Sequence, residues 1–501
     1  MNTITIKNFR SIVDSGDVPI NRVNILLGKN SSGKSSFVRL FPMLKQTVNN
    51  RMRGPLLWFD EYYDLGKFDT ALSRHATDDK LIMLGFDIER TTTEPSCKTD
   101  NCIDCAYIHM SPNLFLDGMK KVKTQVYIDS HKDETYIKRI VVAFKKHKVE
   151  IEKNRDVEPL TIRIDNEQYF EDSMDWSYRK STFLPRLLLI SNSEIDKIQD
   201  QLNKMLKSVP EVNEKYFNAL YNIKSLHVDD LLHTWEKKSD NPIFSMLLKH
   251  IDSKHEDAKK ILSYLVLVNL QKAIKFVDGM INSFFDNSYY IAPYRYNYGR
   301  YMRNKELSVE TVDPIGKNLM EYILGMSADE LKDYKRFMKE SFGAVFTVKG
   351  RDHKSIMVEK DGENDNLVDV GSGFSQILPV ATLLWDIANR NGRYCGLPNT
   401  VTIEQPEIHL HPAMQREFAD MIVKVIGLSK KKNNNLNIII ETHSPIILNR
   451  IGRLIRRRES YFSEKDISIY LFDKVDGATK ITPSSYNEDG RISNWPVGFL
   501  D

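Results

Sequence analysis

Apolar and polar positions change their period several times along this chain, and each change predicts an element. Ile4, Ile6 and Phe9 alternate with polar residues, and Val23-Asn24-Ile25-Leu26-Leu27 is a short apolar run ending at Gly28. Both patterns read as strands, the second feeding the segment that starts at Gly28. Phe37, Leu40, Phe41 and Leu44 then recur at helical spacing, which predicts a helix from Ser36 to about Gln46 that bends at Pro42, where a backbone donor is missing. From 55 to about 185, turn signals separate β-like runs at Lys80–Phe86, Gln125–Ile128 and Arg139–Phe144, so an antiparallel sheet lobe is expected.

Between about 193 and 285 the pattern turns helical, with Ile198, Leu202, Met205 and Leu206 on one stripe and an apolar stretch over Ile261–Val268. No heptad is sustained long enough for an extended coiled coil, so a compact helical lobe is expected. Alternation of β and α returns from Tyr289 to the end, with no internal repeat or low-complexity tract. The expected organisation is an α/β fold in two sequence halves, 1–190 and 286–501, separated by a mainly helical insertion at 191–285.

Composition narrows the picture in only two ways. The 501 residues carry 71 Lys and Arg against 68 Asp and Glu, a net charge of +3, so any basic surface must be local. No stretch approaches the ~18 apolar residues of a membrane span, and the opening residues lack a signal-peptide core, so a cytoplasmic protein without a membrane partner is expected.

The chemistry is carried by two elements far apart in sequence. Gly28-Lys29-Asn30-Ser31-Ser32-Gly33-Lys34-Ser35 fits G-x-x-x-x-G-K-S between a predicted strand and a predicted helix, the context that a phosphate-binding loop requires. The backbone of Asn30, Ser31, Ser32, Gly33, Lys34, Ser35 and Ser36 would cradle the phosphates of ATP, with Lys34 as the fixed cation and the Ser35 hydroxyl on Mg2+. Its acidic partner, Val401-Thr402-Ile403-Glu404-Gln405-Pro406-Glu407, comes about 370 residues later, which implies a nucleotide fold interrupted by an insertion. Glu404 can reach the metal through water. Gln405 stands where a glutamate would polarise the attacking water; an amide orients water but accepts no proton at neutral pH, so slow hydrolysis is expected. Glu407 either supplies the missing carboxylate or packs the segment before His411, and the phosphate itself is another candidate for the final base.

Ile438-Ile439-Ile440-Glu441-Thr442-His443-Ser444 is another apolar strand with a polar end, which places His443 near the γ-phosphate. Gly371-Ser372-Gly373-Phe374-Ser375-Gln376, followed by the apolar helix Ile377–Trp385, has the glycines and helix start of a second phosphate-contacting loop. Such a loop does not reach its own chain's nucleotide. It implies a head-to-head homodimer in which Ser372 and Gly373 complete the site across from Lys34.

These residues carry a family resemblance. The opening Ile6-Lys7-Asn8-Phe9-Arg10-Ser11, the loop, the Gly371 segment, Glu404 through Pro412 with His409 and His411, and Glu441-Thr442-His443-Ser444-Pro445 resemble the SMC-like and OLD-like ABC ATPases of bacterial defence systems. The tail, Asp489-Gly490 followed by Trp495-Pro496-Val497-Gly498-Phe499, is similar to the ending of an OLD-like subgroup without a nuclease domain, in which the Glu-Gln-Pro-Glu motif is familiar. Tyr290-Ile291-Ala292-Pro293-Tyr294-Arg295 resembles the strand that reopens the ATPase lobe. The resemblance covers roughly 1–90 and 286–501. It implies an ABC-type ATPase head split by an insertion, with the stretch beyond His443 too short for a Toprim nuclease. It further implies a switch that senses, scaffolds or restrains a separate effector in Septu-like, PARIS-like or retron-associated systems. The rival reading is a RecF-like or SMC-like ATPase acting on DNA.

Three weaker signals remain. Cys97, Cys102, Cys105 and His109 offer thiolates and an imidazole suited to zinc, or form a reduced hairpin; Cys395 reads as a buried hydrophobe. Arg450, Arg453, Arg456, Arg457 and Arg458 crowd one predicted helix after Lys430-Lys431-Lys432, as a solvated face, a protein interface or a nucleic-acid patch. Arg295 and Arg300, among Tyr294, Tyr296, Tyr298 and Tyr301, either pair with nucleotide or nucleic acid or pack internally.

Overall fold

A computed structural model describes residues 1–50, 52–76, 80–89, 121–144, 147–153, 160–172, 176–177, 183–187, 233, 236–237, 245, 270, 273–303, 305, 307–389, 397–457 and 461–495. The cysteine group at 97–109, Cys395, Arg458 and most of the expected helical insertion lie outside them. The chain opens on β1 (Thr3–Phe9), β2 (Ile12–Pro19) and β3 (Val23–Gly28), followed by α1 (Lys34–Val38), α2 (Leu40–Asn49) and α3 (Phe68–Ala71). The single bent helix expected from Ser36 is two helices, with the break at Arg39 and not at Pro42. Pro42 is the third residue of α2, where its missing N–H has no intrahelical acceptor to lose. β2 was not among the expected strands: its buried residues, Ile12, Ser15 and Val18, are three apart, so the segment lacks the period-two alternation that marks a strand.

By contacts the described chain forms two compact units. The first comprises Met1–Thr5, Thr47–Leu57 and Asp79–Ser283. It holds an antiparallel meander of β4 (Ile82–Glu89), β5 (Lys121–His131), β6 (Glu134–Phe144), β7 (His147–Glu152), β8 (Leu160–Ile164) and β9 (Glu167–Asp172), each hydrogen-bonded to the next, plus a small ladder of β10 (Trp176–Ser177) with β11 (Arg186–Leu187). Val122, Thr124, Val126 and Ile128 alternate inward along β5, the period-two signature of a half-buried sheet. Lys132-Asp133 and Asp165-Asn166 all have positive φ, the backbone of two-residue hairpins whose twist matches the strands they join.

The second unit comprises Ile6–Gln46, Trp58–Asp78 and Phe284–Asp501, so the loop segment falls with the C-terminal stretch, while 79–190, expected with it, falls in the first unit. Its central sheet runs β12 (Ser288–Ile291), β17 (Asn399–Glu404), β18 (Leu436–Glu441), β3, β19 (Ile467–Val475) and β20 (Ala478–Ser484), all parallel but for the β19–β20 hairpin. β3, β17 and β18 are buried along their whole length, as expected of a parallel sheet covered on both faces. α7 (Pro412–Lys431) connects β17 to β18, and α8 (Pro445–Arg456) follows β18. A second, antiparallel sheet holds β14 (Ala344–Lys349), β15 (His353–Lys360) and β16 (Glu363–Asn366), with β13 (Met302–Arg303) beside β15.

The core of this unit gathers Val23, Ile25, Val401, Ile403, Ile438 and Ile440 with α6 (Ser372–Asn389), which is apolar on nearly every side. Such a helix is a core element and not a surface one. α4 (Leu319–Leu324) precedes α5 (Ala328–Phe342), whose ends are set by a Ser327–Glu330 capping box and by Gly343 at φ 65°. α5 meets α6 where Tyr334 packs edge-on to Trp385 and shares a hydrogen bond of 2.8 Å with Thr382. Among the described residues no helix is long and apolar enough to cross a membrane.

Candidate functional site

β3 delivers the chain to the end of the sheet at Gly28, where two glycines shape the loop. Gly28 lies at φ 155°, and a Cβ there would overlap the carbonyl oxygen of Phe472. Gly33 lies at φ 105°, and a Cβ there would overlap Thr479 Oγ1 and come within 2.9 Å of Ser11 Oγ. Only glycine tolerates both the conformation and the crowding. Thr479 Oγ1 donates to Ser32 O at 2.8 Å, so β20 clamps the loop from behind. Asn30 and Ser31 are exposed at its tip, Ser32 and Gly33 are buried, and Ser36 is half-buried in α1.

Lys34 is only 3% exposed, and its ammonium donates to Gly28 O and Lys29 O, both at 2.9 Å. Burial lowers its pKa, and Glu441 and then Glu407 oppose that shift. Ser35 Oγ donates to Glu441 Oε1 at 2.8 Å, and the same oxygen lies 3.9 Å from Lys34 Nζ. Burial first, then the neighbouring Glu404 carboxylate, pushes the Glu441 pKa up to about 7.

Glu404 has different partners. Arg39, directly after α1, forks onto it with Nε to Oε1 at 2.8 Å and Nη2 to Oε2 at 2.9 Å. Tyr290 on β12 donates to Oε1 at 2.7 Å, and Tyr63 accepts from Arg39 Nη1 at 2.9 Å. The carboxylate beside the Ser35 hydroxyl is therefore Glu441, while Glu404 is held by Arg39 and Tyr290. Gln405 follows at φ 42°, a left-handed conformation rare outside glycine, with its N–H donated to Glu441 O at 2.8 Å.

Glu407 binds the polar end of β18 with both oxygens, accepting from Thr442 Oγ1 at 2.8 Å and from the His443 N–H at 2.6 Å. Burial raises its pKa. The His443 pKa is lowered by burial and then by Lys34, which favours a neutral ring, and its buried Nε2 has no hydrogen-bond partner. Ser444 caps α8 by accepting from the Ile447 N–H at 3.1 Å.

The sequence-derived residues Lys34, Ser35, Glu404, Gln405, Glu407 and His443 thus gather at one end of the parallel sheet. Ser372 and Gly373 form the first turn of α6, Ser372 exposed and Gly373 packed against Met414. Arg39, Tyr63 and Tyr290 were not singled out as site residues from the sequence. One signal was available for the first: Arg39 is four residues beyond Ser35 in an otherwise apolar run. Arg295 reaches Glu404 O at 3.5 Å through Nη2, while its buried Nε and Nη1 have no partner. Arg300 instead pairs with Asp369 on the surface, and Arg450 with Asp420. Arg453, Arg456 and Arg457 are exposed.

The donor set fits a nucleotide with its magnesium. A cradle that no Cβ could share, a buried ammonium, a hydroxyl beside a carboxylate, and buried Ser32 Oγ, Glu441 Oε2 and His443 Nε2 without partners converge at one sheet end.

Fold and site together define the class: an α/β nucleotide-binding protein of the phosphate-loop kind, consistent with an ABC-type ATPase. The AAA ATPase domain family matches residues 1–448, and the chain belongs to that family. Residues 463–501 match a second family, described as Protein of unknown function (DUF3696). Over 84 residues the chain is 36% identical to Endonuclease GajA of Bacillus cereus (strain HuB5-5), a match spanning 16% of this chain and 12% of that protein's length. Two similar solved structures are an SmcHead bound to the C-winged helix domain of ScpA and the SMC head domain from Thermotoga maritima. The first has a TM-score of 0.37 at 11% identity over 97% of this chain and 98% of that one. The second has a TM-score of 0.32 at 11% identity over 96% and 98%. Family membership carries nucleotide binding and supports ATPase activity.

Proposed function

We propose that the chain is a slowly hydrolysing ATP switch that works as a head-to-head homodimer and holds or gates a separate effector in antiphage defence. The observation that carries the reading is the Lys34–Ser35–Glu441 arrangement beside a glutamine, Gln405, at the end of β17. Bound Mg·ATP supplies the phosphoryl group whose transfer to water drives the cycle. Lys34 would neutralise phosphate oxygens, Ser35 with a carboxylate at this end of the sheet would hold the cation, and His443 Nε2 would donate a hydrogen bond to the terminal phosphate. Gln405 orients the water without taking its proton, and this slows turnover. Ser372, exposed at the start of α6, and Gly373 beside it would close the site of the opposing copy.

The resemblance to defence-system ATPases, together with the local identity to Endonuclease GajA, supports the defence setting over general maintenance. In this reading the effector is a separate nuclease or toxin. The decisive experiment pairs Lys34→Ala with two assays, binding of a fluorescent ATP analogue and protection against phage from the native operon. Loss of both is expected, and protection by a variant that cannot bind nucleotide would sink the switch. A second reading, an ATPase that clamps DNA, draws on the exposed Arg453, Arg456 and Arg457 of α8 and its following turn. ATP-dependent DNA binding by the purified protein alone, lost on replacing those arginines, would favour it.

A further inference from the structure

Resting on the nucleotide reading above, we propose that Glu441, and not Glu404, is the carboxylate that completes the magnesium site with Ser35. In the sheet order β18 lies between β17 and β3, with Glu441 opposite both Glu404 and Leu26. Adjacent strands are about 4.8 Å apart, so a carboxylate on β18 is one spacing from the strand that feeds the loop and one on β17 is roughly two. The side chains follow that geometry: Glu441 Oε1 is 2.8 Å from Ser35 Oγ, while Glu404 turns to Arg39 and Tyr290.

Vacancy of lone pairs points the same way. Glu404 accepts from Arg39 on both oxygens and from Tyr290 on one of them, and the guanidinium already balances its charge. Glu441 is 2% exposed, yet its Oε2 has no donor. A buried carboxylate oxygen without a partner is unfavourable until a cation or donor meets it. Magnesium takes one or two carboxylates beside phosphate oxygens, and its oxygen donors must be free to turn toward it. Ser35 Oγ and Glu441 meet that need together. Glu404 would first have to abandon its two donors, so its part is to anchor Arg39 and the start of α2.

The test uses the full chain with ADP and measures free Mn2+ by electron paramagnetic resonance during titration. In parallel, binding of a fluorescent nucleotide is followed in EDTA. Glu441→Gln should weaken Mn2+ binding by roughly tenfold or more. Its nucleotide affinity in EDTA should stay near the wild-type value, and Glu441→Asp should fall between the two. Glu404→Gln should leave Mn2+ affinity within about twofold of wild type. Should that variant not fold, as judged by circular dichroism, the two Glu441 variants decide alone. Wild-type Mn2+ affinity in Glu441→Gln, or a larger loss in a folded Glu404→Gln, overturns the assignment. A wild-type chain that binds no nucleotide in either condition overturns the functional reading instead.

Discussion

Replacing Arg39 with methionine isolates the pair that holds Glu404. Methionine keeps much of the side chain's length and removes its charge and its donors. In the wild type the carboxylate is 2% exposed and accepts three bonds from Arg39, one of them a longer bifurcated contact from Nε, and one from Tyr290. Stranding a buried carboxylate typically costs ~3–5 kcal/mol. Arg39 is itself 29% exposed, so water can partly replace it, and the lower end, about 3 kcal/mol, is the expected loss. Tyr290→Phe removes a single bond to a charged acceptor and should cost about 1.5–3 kcal/mol.

The cycle is closed with Arg39→Met/Glu404→Gln, where no charge is stranded. That double variant should be more stable than Arg39→Met alone, with a coupling energy of about 2 kcal/mol. Equilibrium urea unfolding followed by far-ultraviolet circular dichroism and fluorescence gives all four stabilities. A loss below about 1 kcal/mol for Arg39→Met would show the pair to be an ordinary surface bridge. A double variant no better than the single would show that Arg39 acts through packing and not through charge. Either result refutes the reasoning.

Gln405→Glu should raise steady-state ATP hydrolysis by about 100-fold, the lower reach of an added general base, and a colorimetric phosphate assay reads it; an unchanged rate points to Glu407 or to product release. Ser372→Arg should abolish ATP-induced dimerisation in light scattering, and intact dimers contradict the idea that α6 closes the opposing site. Gly452→Ala sets a Cβ against the carbonyl of Gly490, so it should lower stability by about 2 kcal/mol, and an unaltered thermal melt would mean that the tail gives way freely.

Much of the fold was legible because its signals are local. The buried strands are uninterrupted apolar runs that end in polar residues. The loop and the acidic strand were legible for the same reason. What stayed hidden depends on the order of strands in the sheet. The Arg39–Glu404 fork joins residues 365 positions apart, and nothing in either neighbourhood names the other. The carboxylate beside Ser35 is Glu441, from the strand that the sheet inserts between β17 and β3, and nothing local to Ser35 points to it. Spacing along a chain carries no record of which strand stands next to which.

The two carboxylates also make the head's stability depend on its ligand. Glu404 and Glu441 sit opposite each other on neighbouring strands, and Glu404 raises the cost of the charge on Glu441. Arg39 settles one permanently. The other is left with Lys34 at 3.9 Å and a single hydroxyl, so the site without ligand carries an under-balanced charge inside the sheet end. A cation bound there removes that imbalance, and binding to the folded form alone adds about 2.7 kcal/mol when ligand is at 100 times its Kd. Melting temperature should therefore rise more with Mn2+ and ADP together than with ADP in EDTA. Glu441→Gln should shrink the difference, because a metal bound roughly tenfold more weakly adds less stability at the same concentration. Equal shifts with and without metal in the wild type would mean that the phosphates alone stabilise the loop and that the carboxylates contribute nothing to the coupling.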